Sequence, residues 1–174
     1  GGYAAYTPNM TARILETARL TSLLRDAIGA QEFHLLYQPI VTLPDGRLVG
    51  VEALVRWHSP ERGPMEPTQF IPIAEQTGLI VPLGRWVLEE SCRQIREWQL
   101  THQEADQLLV SVNLAGRQLQ SPTLVQEVQQ ILAETGTHAT HAASSNQAGG
   151  RCPLPELMQA GGNVAITTDG TAPK

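Results

Sequence analysis

Two runs of alternating residues, separated by a connection too short for a crossover, decide most of what this chain can become. Residues 33–41 put Leu36, Gln38 and Ile40 on one face, and residues 47–57 set Val51, Ala53, Val55 and Trp57 against Gly50, Glu52, Leu54 and Arg56. Pro44-Asp45-Gly46 between them reads as a tight turn. Parallel neighbours need a crossover of about a dozen residues or more, so these two strands must run antiparallel. The apolar face of the second strand is expected to lie under helices. Its other face then holds a carboxylate and a guanidinium four residues apart, roughly 13 Å at about 3.3 Å per residue. That is too far for an ion pair, but it suits a metal at one end of a site and a phosphate at the other. An exposed edge strand with two solvated charges is the plainer alternative.

The remainder of the chain supplies the layer that would cover this hairpin. Residues 10–30 read as a helix, with Leu20, Leu24 and Ile28 on one stripe and Gly29 as its stop. His58 to Pro64 reads as loop. A short helix is expected from about Gln69 to Gly78, and Pro82 fits the first turn of another. In that second helix Leu88, Cys92, Ile95 and Trp98 form an apolar stripe, which makes Cys92 a core residue rather than a reactive one. Residues 108–114 read as a third strand, with Leu108, Val110, Val112 and Leu114 facing one way and Leu109, Ser111 and Asn113 the other. Ser121-Pro122 then caps a helix whose Leu124, Val128, Ile131 and Leu132 are its buried stripe, and Gly136 ends it.

After the hairpin the order is strand, helices, strand, helix, the order of an α/β fold of the TIM-like (β/α) barrel type. Such barrels carry reactive groups at the C-terminal ends of their strands. Glu52 and Asn113 project from the inward faces of different strands, so the fold can bring them together. A carboxylate and an amide oxygen are hard ligands suited to Mg²⁺ or Mn²⁺. The bland alternative for Asn113 is a strand-end amide satisfying loop backbone.

Composition sets the outer limits. At 174 residues the chain suits one domain with a substantial core. Its net charge of −5 does not fit a surface that coats a nucleic-acid polymer. Cys92 and Cys152 have no metal-ligand spacing and give no disulfide framework, so a reducing, cytoplasmic setting is expected. No stretch reaches the length of a membrane span, and no signal peptide opens the chain. Gly1-Gly2 reads as an arbitrary cut or a tag remnant.

The same residues carry a resemblance. Gln38-Pro39-Ile40, Val51-Glu52-Ala53-Leu54-Val55-Arg56-Trp57, Phe70-Ile71-Pro72-Ile73-Ala74-Glu75, Gly78-Leu79-Ile80 and Ser111-Val112-Asn113-Leu114 occur in that order. Across residues 31–136 they resemble the N-terminal half of an EAL domain, the bacterial module that hydrolyses cyclic di-GMP to its linear form. The resemblance implies a barrel whose first strand pair is antiparallel. It implies Glu52 and Asn113 as metal ligands for Mg²⁺ or Mn²⁺, and Gln38, Leu54 and Arg56 as dinucleotide contacts. The Arg56 role is physically apt, since a planar guanidinium binds phosphate oxygens in a bidentate manner. Residues 1–30 resemble the linker helix after a GGDEF domain, on Tyr6-Thr7-Pro8 and Leu23-Leu24-Arg25-Asp26-Ala27 before Glu32-Phe33; the alternative is a plain amphipathic helix that packs on its own domain.

Residues 137–174 depart from that pattern. Thr137 to Gly150 has no apolar period and is not expected to pack by itself, while His138 and His141 are spaced like a metal pair but lack further ligands. Ala165-Ile166-Thr167-Thr168-Asp169-Gly170-Thr171 is similar to a later block of the family in which two Asp occupy the places of Thr167 and Thr168. The family's Glu-rich block has no counterpart. The expectation is about half a barrel with an aberrant tail, arising from degeneration, a shifted reading frame or a cloning artefact. No catalytic set is then intact, hydrolysis is lost, and the exposed edges favour homo-oligomers. The alternative function is a non-catalytic cyclic di-GMP-binding or protein-interaction module. An unrelated metabolic barrel is disfavoured by the opening hairpin.

Overall fold

The computed structural model describes residues 8–137, 139–144 and 164–168. The first helix, α1 (Pro8–Gly29), is followed by β1 (Phe33–Val41) and β2 (Leu48–Ser59), which pair antiparallel from Phe33 opposite Trp57 to Val41 opposite Leu48. The turn between them is held by polar groups of its own. The Thr42 hydroxyl donates to the Asp45 carboxylate, and the Arg47 backbone N–H lies 3.1 Å from Thr42 Oγ1. The expected hairpin is present, with Val51, Ala53 and Trp57 on its buried face as expected. It forms because alternation fixes which face is buried, and a one-residue slip would invert every side chain.

A short strand, β3 (Gly63–Met65), folds back on the end of β2, where the sequence reading expected loop from His58 to Pro64. Gly63 takes the positive φ of 73° that this reversal needs. Helix α2 (Pro67–Thr77) follows and ends at Gly78 in the left-handed conformation, as expected for a glycine stop. It begins slightly before Gln69 because Pro67 suits the first helical position. Helix α3 (Ile80–Thr101) buries Leu88, Cys92 and Ile95, with Trp98 partly covered beside them. Burial pushes the Cys92 thiol up to about 11, as a core role requires.

After a 3₁₀ turn, β4 (Leu109–Leu114) pairs parallel with β2, and Val110, Val112 and Leu114 are buried. A single helical turn, α4 (Gly116–Leu119), precedes α5 (Leu124–Thr135), whose buried residues are the expected Leu124, Val128, Ile131 and Leu132. Thr123, rather than Ser121-Pro122, holds the cap position of α5, and its hydroxyl donates to Glu127. Gly136 closes this helix in the left-handed conformation.

Two more strands complete the described sheet: β5 (Ala139–Ser144) and β6 (Val164–Thr168), parallel to each other and to β4. No strand was expected from Thr137 to Gly150. Ala139–Ser144 joins the sheet because backbone pairing with a neighbour does not require an apolar period. The strand order is β1-β2-β4-β6-β5, so β6 lies between β4 and β5 instead of following them in sequence. His138, Cys152 and Asp169 lie outside the described residues.

The core sits between the sheet and its helices. Trp57 is 1% exposed, stacks on Phe33 at 5.7 Å and meets Phe70 of α2 edge-on at 5.6 Å. Val51 and Ala53 are buried on the same side. On the opposite side Leu36 and Ile40 remain 50% and 41% exposed, so this face of the hairpin is open. Helix α1 packs through Leu20, Leu24 and Ala27, and is tied to the β2–β3 turn by Arg19–Glu61 at 2.7 Å and by the Arg62–Glu16 pair.

Candidate functional site

The open face of the sheet gathers the residues singled out by sequence. Glu52 and Gln38 are direct partners across the β1–β2 ladder, as are Leu54 with Leu36 and Arg56 with His34. On the other side of β2, Glu52 is level with Ser111 of β4, and Ser111 is 9% exposed. Asn113, two residues further along, donates from Nδ2 to Glu52 Oε1 at 2.7 Å. Two strands that meet only through tertiary pairing therefore bring the carboxylate and the amide into contact.

Arg56 does not reach Glu52. It sits further along β2, half-buried, with Nη1 donating to the Val55 carbonyl at 2.8 Å. Thr167 of β6 is in register with Asn113, and Thr168 with Leu114. Sequence reading gave no role to His34 or Ser111. Their signal was parity: each shares the face of an already chosen residue on its own strand or opposite it.

The donor set is small. Among the described residues no three His, Cys, Asp or Glu side chains gather as a cation site would require. Glu52 supplies one carboxylate and Asn113 one amide, which does not fit a pair of dications carrying four positive charges.

The sequence model of the EAL domain matches residues 22–142. The chain belongs to the EAL domain family. Among its curated relatives, the bifunctional diguanylate cyclase/cyclic di-GMP phosphodiesterase MucR of Pseudomonas aeruginosa is 41% identical over 140 residues, covering 80% of this chain and 20% of that protein. The cyclic di-GMP phosphodiesterase PdeR of Escherichia coli is 41% identical over 134 residues, covering 77% of this chain and 20% of that protein. A solved structure of the MucR phosphodiesterase in complex with c-di-GMP superposes with a TM-score of 0.73 at 32% identity, over 89% of this chain and 66% of that one.

This EAL chain therefore spans about a fifth of the length of these two relatives. Its fold is part of the EAL-type TIM barrel, with the antiparallel opening pair. Among the described residues, no helix is long and apolar enough to cross a membrane.

Proposed function

We propose that this EAL chain binds cyclic di-GMP and does not hydrolyse it. In this reading residues 31–136 form the EAL part, residues 1–30 a linker that follows a GGDEF domain in the parent protein, and 137–174 an aberrant tail. Glu52 and Asn113 are its metal ligands, for Mg²⁺ or Mn²⁺. Gln38, Leu54 and Arg56 contact the dinucleotide.

The observation that carries the reading is the 2.7 Å contact between Asn113 Nδ2 and Glu52 Oε1. It joins one hard carboxylate to one amide on the open face of the sheet, with Gln38 directly opposite Glu52. The names of the two curated relatives and of the superposed complex support cyclic di-GMP as the ligand. Loss of turnover follows from the donor set. A metal pair must polarise the phosphodiester and lower the pKa of the attacking water, and several carboxylates are needed to hold it. Glu52 is a single carboxylate, and Thr167 and Thr168 stand where the family resemblance places Asp. A neutral hydroxyl does not substitute for a bridging carboxylate between two dications.

The test is incubation of the purified chain with cyclic di-GMP and Mn²⁺, followed by chromatography for the linear product, alongside a binding titration. Weak binding with no product is expected. Turnover that disappears in Glu52→Ala would overturn the non-catalytic reading. Absence of any binding would overturn the dinucleotide assignment.

A further inference from the structure

The open face of the hairpin does not end at Arg56. One step further along β2 on the same face is His58, and directly across the ladder from Arg56 is His34 of β1. Directly opposed residues hold their Cβ atoms about 5 Å apart, and diagonal neighbours remain within reach of long side chains. His34 and His58 are both exposed, while Arg56 is half-buried between them.

His34 and Arg56 face one another across the ladder and His58 follows on the same face of β2, while the carboxylates of Glu32 and Glu52 are each engaged by other donors. Glu52, the carboxylate on this face, is two ladder steps from the Arg56–His34 pair and accepts the Asn113 amide. Glu32, just before β1, accepts the Trp57 indole N–H at 2.9 Å. The neighbouring strand β3 is Gly-Pro-Met and brings no charge. A guanidinium and an imidazole directly opposed on a ladder can both donate N–H groups to one anion held between them. Only one of the five guanidinium N–H donors of Arg56 is engaged in the contact to the Val55 carbonyl.

We propose that His34 and Arg56 form a two-sided anion clamp that takes one phosphate group of a nucleotide, with His58 flanking it. The clamp rests on the reading of this face as a dinucleotide site, and adds to it a recognition residue on β1. Arg56 offers its planar fork from one strand. His34 offers an imidazole N–H from the other, so the phosphate is held from both sides of the ladder.

The test uses the whole chain without divalent metal, at one fixed pH of about 6. Imidazole NMR signals are followed as pyrophosphate is added, with the His34 signal assigned by its loss in His34→Gln. Saturable movement of the His34 signal is expected, with the signal of His102 unmoved. His102 lies just beyond α3, beside Thr101 Oγ1 at 2.7 Å, and is the internal control. Arg56→Gln should abolish the movement at His34. In a parallel titration with cyclic di-GMP, His34→Gln should weaken binding about tenfold, the scale of one charge-assisted hydrogen bond, and His34→Lys should restore most of it.

An unmoved His34 signal, or equal movement at His102, overturns the clamp. Dinucleotide binding that needs Arg56 but ignores His34→Gln also overturns it, while leaving the broader reading of the site intact. A clamp that takes pyrophosphate in a chain that binds no cyclic di-GMP supports the clamp and overturns the dinucleotide reading.

Discussion

Gly50 stands so close to Leu109 that a side-chain methyl group at Gly50 would lie 2.9 Å from the Leu109 carbonyl oxygen and 3.2 Å from its Cβ. This contact sets where β2 and β4 begin to pair, since Gly50 and Leu109 are register partners two residues before Glu52. The clash is with backbone, which has little room to give. Gly50→Ala should therefore destabilise the chain by about 1–3 kcal/mol, the usual cost of overpacking. A lower urea midpoint with an unchanged slope is the expected signature.

Asn113→Asp exchanges the donor to Glu52 for a second carboxylate. Two carboxylates at hydrogen-bonding distance repel, and the charge-assisted bond is lost, at about 1–3 kcal/mol. A divalent cation relieves that repulsion. The variant should melt below the parent protein in a chelator and recover with Mn²⁺, whereas the parent should shift less. Equal responses of the two proteins to Mn²⁺ would argue that the Glu52–Asn113 pair is not oriented for a cation.

Phe70 is fully buried, edge-on to Trp57 and tilted against Phe33 at 5.9 Å. Truncation to alanine removes a ring from the seam between α2 and the hairpin. Phe70→Ala should cost about 3–5 kcal/mol and collapse the near-ultraviolet dichroism of Trp57. Such a loss is a large fraction of the stability of an ordinary domain, so the thermal midpoint of this variant should fall well below that of the parent protein.

Burial raises the Cys92 thiol from 9.0 to about 11. The folded state thus keeps its proton where the unfolded chain has begun to lose it. This contribution to stability is fully present below about pH 9 and declines as pH rises towards 11. In a Cys152→Ser background, iodoacetamide at pH 8 should label Cys92 only after denaturant is added. Rapid labelling of the native protein would mean that α3 opens locally.

How much of this was legible beforehand depended on whether side-chain chemistry or chain pairing decided the outcome. The hairpin was legible because the alternation of Val51, Ala53 and Trp57 against Glu52, Leu54 and Arg56 specifies a face, and Pro44-Asp45-Gly46 specifies the turn. The α3 and α5 stripes were legible for the same reason, as was the meeting of Glu52 with Asn113 once both were placed on inward faces. The strand Ala139–Ser144 was not, because its side chains carry no period and its partner, Val164–Thr168, is remote in sequence. His34 carries no such signal, because its interest arises from Arg56 opposite it, and that pairing is fixed only by the strand register.

The position of β6 has a consequence for the order in which the sheet can assemble. During synthesis β5 emerges before β6, yet the edge of β4 belongs to β6. Until residues 164–168 arrive, β5 meets an unpaired parallel edge that is not its own. Pairing there would have to be undone before β6 could enter between the two strands. The β4–β6 pairing is therefore a non-local contact that cannot form until both segments have been made. Non-local parallel pairing is slow in any case, and the exposed edge during that wait is the species most prone to self-association.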